Sequence, residues 1–127
     1  MKKIALLAAV AAFAATPALA DVAAQLTVAQ THAGMAAKAA DLKMVQTHLH
    51  HAVNCLVGPA GTGFDAAAGN PCAKAGTGAI PESTDAAQKA KLQAAVTTAT
   101  PGLAAGADLA TAQKAAQATA DAVAAAK

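Results

Sequence analysis

Residues 31–59, THAGMAAKAADLKMVQTHLHHAVNCLVGP, decide how this chain folds and where its chemistry lies. They contain all four histidines, two of the three methionines and the first of the two cysteines. They also contain a reversal signal, AADLK, and a stop signal, Gly58-Pro59. Asp41 is placed to cap a helix running through about Val57, because a short carboxylate before an apolar-periodic run accepts free N–H groups of the first turn. Gly58 supplies the left-handed stop, and Pro59 cannot continue the helix. Upstream, Asp21 can cap a helix from about Val22 to Lys38, with Val22, Leu26, Ala29, Ala33 and Ala37 on one face. A tight turn at Ala39–Asp41 then makes residues 22–57 a helical hairpin. One continuous helix over 22–57 is the alternative, since nothing in AAKAADLK forbids it, but it would be long for a small domain.

Beyond the hairpin, residues 58–83 read as a loop rich in Gly and Pro, with glycines at 58, 61, 63, 69, 76 and 78. Loops of this length without their own secondary structure are usually functional or disordered, and Cys72 within it argues for order. Asp65 and Asn70 fit turn-forming roles inside it. Ser83 or Thr84 then caps a third helix to about Thr100, with Leu92, Ala95, Val96 and Ala99 inward. Pro101-Gly102 starts a break. Asp108 opens a fourth helix whose buried face is Leu109, Ala112, Ala116, Ala120 and Val123. The chain is therefore expected to be all-α: one Ala-rich four-helix domain over 21–127, built from the hairpin 22–57, the loop 58–83 and a second helical pair 84–126.

Composition limits the core. The chain has no Trp or Tyr and two Phe, and Ala dominates. Each buried Ala removes little apolar area from water, so hydrophobic stabilisation per residue is low. High helix propensity and close helix approach offset this in part. Cys55 and Cys72 are expected to form a disulfide, because residues 1–20 read as a cleaved export signal and so place the chain in an oxidising compartment. In that signal Lys2 and Lys3 precede an apolar run too short to span a bilayer, and Ala18-Leu19-Ala20 matches a small-x-small cleavage site. The expected location is periplasmic or secreted, without stable membrane insertion after cleavage. Closing the Cys55–Cys72 ring is worth about 3 kcal/mol on the chain-entropy account.

Lys2 and Lys3 account for the excess of nine basic over seven acidic residues, so the chain beyond the signal is neutral. There is no Arg and no basic block with interleaved aromatics, which excludes nucleic acid as an expected partner. Glu82 is the only Glu, no carboxylates are paired, and no nucleophile elbow or phosphate-cradling loop occurs. No catalytic activity is expected. A Cys-x-x-Cys-His haem-attachment motif is also absent from the sequence.

The histidines carry the remaining chemistry. At 100° per residue, Met44, His48, His51 and Cys55 fall within about a 60° arc of the second helix, bordering the apolar arc, with His50 on the far flank. If the hairpin reverses near residue 40, His32 stands level with His48 and Met35 with Met44. Within the first helix His32 and Met35 share a face. Two helices could then converge imidazoles and thioethers on one site. Imidazole suits Cu, Zn, Fe and Ni, while thioether selects Cu(I) or a haem axial position. The expected ligands are His32, Met35, Met44, His48 and His51, and the expected cofactor is copper, with haem as the alternative. The expected role is copper sequestration or delivery. The competing reading is an interaction module whose histidines form a surface patch and whose methionines fill gaps near the turn.

Overall fold

The computed structural model describes residues 20–127. The export signal expected over residues 1–20 lies outside the described residues except for Ala20. The described chain is all-helical: α1 (Val22–Lys38), α2 (Leu42–Val57), α3 (Ala79–Glu82), α4 (Ala86–Leu103) and α5 (Leu109–Ala125). Each of the four long helices starts on an aspartate that accepts an N–H of the first turn. Asp21 bonds Ala24, Asp41 bonds Met44, Asp85 bonds Gln88 and Asp108 bonds Thr111, all at 2.7–2.8 Å. These caps satisfy donors that a helix cannot satisfy internally.

The long helices form a ring in which α1 packs on α2 and α5, and α4 packs on α5 and α2. Gln113 of α5 bonds the Ala39 carbonyl at the end of α1, and Gln46 of α2 bonds the Gly102 carbonyl at the end of α4. Neighbours in the ring therefore run antiparallel. Three apolar clusters fill the interior. One surrounds Leu26, Leu56, Leu92 and the cystine, and a second surrounds Val45, Leu49, Val53 and Val57. Between them lies a waist of Ala33, Ala52 and Ala120. Only small side chains allow helices to approach this closely.

The loop from Gly58 is ordered by polar clamps together with the burial of Cys72 and Ala79 and the packing of Phe64 and Ile80 against the core. Fully buried Gln25 of α1 accepts the Gly78 N–H at 2.9 Å and donates to Glu82 at 2.6 Å. Burial alone would raise the Glu82 pKa. Hydrogen bonds from the Thr77 N–H, the Thr77 hydroxyl and the Gln25 amide outweigh it and hold the carboxyl below its ordinary range. Gly58, at φ +69°, ends α2 where the Thr77–Gly78 backbone crosses it, and a Cβ there would overlap the Thr77 carbonyl. The expected disulfide Cys55–Cys72 is present, with both cysteines buried in the first cluster.

Three expectations are corrected. The loop carries its own short helix, α3, which the Gln25–Glu82 clamp stabilises. The helix after it is capped by Asp85, not by Ser83 or Thr84, because the Ser83 hydroxyl is bonded to Gln88 Oε1 instead. Finally, α4 does not break at Pro101 but runs through it to Leu103. Pro101 has no N–H to donate to the Thr97 carbonyl, and the helix ends two residues later. Packing of Gly102 against Leu49 and α5, together with the Gln46 bond to its carbonyl, holds that turn in place.

Two predictions follow from this packing. A Cβ on Gly102 would stand 2.9 Å from Leu49 Cδ2, 3.0 Å from Ala115 Cβ and 3.2 Å from Ala112 Cα. Gly102→Ala is therefore expected to destabilise the fold by about 1–3 kcal/mol despite improved helix propensity. Gly34→Ala, where a Cβ meets nothing within 4 Å, is expected to stabilise it by about 0.5–1 kcal/mol. Urea denaturation of both variants checks the opposite signs. Reduction of Cys55–Cys72 is expected to lower the melting temperature by on the order of 10 °C or more. Thermal scans with and without a dithiol reductant test this, and coincident transitions would refute the tether.

Candidate metal centre

His48 and His51 stand three residues apart on α2 and so share a face, while His32 comes from the antiparallel α1. The buried cluster of Ala33, Ala52 and Ala120 lies beside them, where small side chains let the helices pack closely. As a result three imidazoles meet at one height. His32 Nδ1 and His48 Nδ1 are 3.1 Å apart. The ring centroids are 5.3 Å apart for His32–His48, 4.8 Å for His32–His51 and 5.8 Å for His48–His51. One nitrogen from each ring lies within 4.8 Å of the others, and all three residues are half-buried. Three nitrogens bound to one ion at about 2.0–2.1 Å stand roughly 3.3 Å apart, so modest side-chain rotation closes the set.

The hydrogen bonds constrain where the protons sit. His51 Nε2 is 2.7 Å from the Ala68 carbonyl, which only accepts, so Nε2 carries the proton. In the neutral ring this leaves Nδ1 as the lone-pair nitrogen. That atom is buried and has no hydrogen-bond partner among the described residues. The 3.1 Å contact between His32 and His48 requires one Nδ1 to donate and the other to accept. The His32 pKa is pushed below the ordinary imidazole value, first by burial and then by the proximity of His51 and His48. That of His48 is lowered likewise, by burial and then by His51. Neutral imidazole is the form that binds metal, so the shifts at His32 and His48 favour the ligand state.

The five expected ligands separate into two groups. His32, His48 and His51 converge. Met35 and Met44 are the exposed large apolar side chains, at 45% and 46% of full accessibility. Met35, one turn beyond His32, lines a shallow cleft on α1 with Gln30, Thr31, Gly34 and Lys38. Met44 stands one turn before His48. His50 lies outside the trio, with its Nε2 3.5 Å from Asp65 Oδ2. Cys55 is committed to the disulfide. Asp65 and Asn70 take the turn roles read for them, accepting from Ala67 and Cys72 N–H groups respectively. Sequence reasoning missed two contributors, Asn54 and the Ala68 carbonyl. A carbonyl leaves no trace in residue type, but a polar residue one turn beyond His51 and just before Cys55 was a readable signal.

Comparison of the chain with protein-family models, with curated proteins and with solved structures finds no match.

The imidazole shifts have a signed consequence. In the folded state His32 and His48 bind protons less readily than in the unfolded chain, whose imidazoles titrate near about pH 6.5. Their neutral contribution to stability is complete above that pH and is lost as pH falls through the lower folded values. The denaturation midpoint of the metal-free protein is expected to hold above about pH 6.5 and to drop as the pH falls below it. In the His32→Gln, His48→Gln double variant that drop should be shallower. An unchanged slope would refute the origin assigned here.

Proposed function

We propose that this protein binds one copper ion between α1 and α2, in a periplasmic or extracellular compartment, as a sequestration or delivery protein and not as an enzyme. The observation that carries the reading is the meeting of His32, His48 and His51 within 4.8 Å, with no carboxylate in the cluster. Imidazoles alone disfavour Ca, Mg and Mn, which take oxygen ligands. Copper is favoured over zinc by the two thioethers, Met35 and Met44, each one helical turn from a ligand imidazole. Thioether is a soft ligand that adds affinity for Cu(I). Their exposure suits groups that receive or release an ion at the surface, with the imidazoles as its resting site. A haem would need a flat slot between axial ligands, whereas His32 Nδ1 and His48 Nδ1 are 3.1 Å apart. The cystine and the signal-like residues 1–20 support export. Among the described residues, no helix is long and apolar enough to cross a membrane.

The test is titration of the oxidised protein with Cu(I) against a competing chelator, and separately with Cu(II), Zn(II) and haem. One Cu(I) per chain is expected, with His32→Ala or His48→Ala weakening it at least about tenfold. The Met35→Leu, Met44→Leu double variant is expected to weaken Cu(I) and leave Zn(II) unchanged. Absence of stoichiometric uptake of any metal would sink the reading and leave the histidines as a surface patch. A Soret shift at one haem per chain would replace copper with haem.

A further inference from the structure

The loop tied down by the disulfide also determines which nitrogen of His51 is free. Asn54 follows His51 by three residues on α2 and is fully buried. Its Nδ2 donates to the Asp65 carbonyl and to the Gly69 carbonyl, both at 2.7 Å. Its Oδ1 accepts the Asp65 N–H at 2.8 Å. Both amide protons are therefore committed, which fixes the side chain's orientation. From the loop side, Asp65 Oδ1 accepts the Ala67 and Ala68 N–H groups at 2.9 and 3.4 Å. The turn 65–69 is thus held by an amide beneath it and a carboxylate within it, and it presents the Ala68 carbonyl to His51 Nε2 at 2.7 Å.

We propose that Asn54 is a positioning residue for the metal centre. Through the turn 65–69 it keeps His51 in the Nε2–H tautomer and so makes Nδ1 the ligand atom. This inference deepens the metal-binding reading and rests on it. A proton on Nδ1 instead would leave Nε2 and the Ala68 carbonyl facing each other as two acceptors, with Nδ1 donating to nothing. A ligating histidine is commonly oriented this way, with its second nitrogen donating to a carbonyl that also raises the basicity of the first. The turn runs directly into the bridge, since the Cys72 N–H bonds Asn70 Oδ1 at 3.0 Å. The loop therefore forms the back wall of the site as well as covering the core.

The experiment is long-range proton–nitrogen correlation of the imidazole rings in the metal-free protein at about pH 8, where histidine is neutral, followed by Cu(I) titration against a chelator. Wild type is expected to show His51 as a single Nε2–H tautomer. Asn54→Ala is expected to give a tautomer mixture and a Cu(I) affinity weaker by about tenfold to a hundredfold. Gly69→Ala provides a second route should Asn54→Ala not fold. Gly69 sits at φ +88° with nothing within 4 Å of an added Cβ, so the substitution strains the turn without touching α2. It is expected to move tautomer and affinity in the same direction. An Nδ1–H tautomer in wild type overturns the proposal, as do folded variants with unchanged tautomer and affinity. A wild type that takes up no Cu(I), but whose single Nε2–H tautomer is lost in Gly69→Ala, upholds the positioning and removes the metal reading.

Discussion

The buried alanine cluster of Ala33 on α1, Ala52 on α2 and Ala120 on α5 governs the rest of the molecule. Helices can approach closely only where none presents a side chain larger than a methyl group. His32 and His51 are the chain neighbours of Ala33 and Ala52, so the approach that fills the core also sets the height and spacing of the imidazoles flanking it. A larger residue at the waist would push the helices apart and spread the rings by the same displacement. Core packing and site geometry are here one constraint seen from two sides.

A core of alanine gives little stabilisation per residue, and the molecule compensates with polar clamps. Gln25, Gln46, Gln88 and Gln113 each reach from one helix to a group on another element. Asn54 does the same for the turn 65–69. Each clamp satisfies backbone groups that the loops and helix ends would otherwise leave without a partner. The disulfide acts on the unfolded chain instead, removing freedom that folding would have to suppress. The long loop is consequently well defined, and its ordering is what places the Ala68 carbonyl against His51.

The parts of this structure that were legible in the sequence are those set by local chemistry. Asp21 and Asp41 cap the helices read for them, and Gly58 ends α2, because each effect acts within one turn. The levelling of His32 with His48 was legible too, since an antiparallel hairpin with a known reversal fixes heights by counting. What depended on distant partners was not. Pro101 is a helix breaker by type, yet Gly102 fits against Leu49 and Ala115 and carries α4 past it. Asp85 displaced Ser83 as the cap because Gln88 claims the serine hydroxyl. The short helix α3 depends on Gln25, more than fifty positions away in the chain. The thioethers show the limit of counting, since Met35 and Met44 are exposed, and register alone does not say how far a side chain turns outward.

The arrangement of the three imidazoles is self-consistent in a way that a fortuitous surface cluster need not be. Burial and the neighbouring imidazoles lower the pKa of His32 and of His48, and no carboxylate belongs to the cluster. His50, one residue from the trio, faces Asp65 instead. The nearby carboxylate is thus engaged by the histidine outside the cluster. Within the trio, the Nδ1 of His51 is buried with no hydrogen-bond partner among the described residues, as is the Nδ1 of His50 outside it, and each incurs a desolvation cost. A cation held by the trio would relieve that cost at His51.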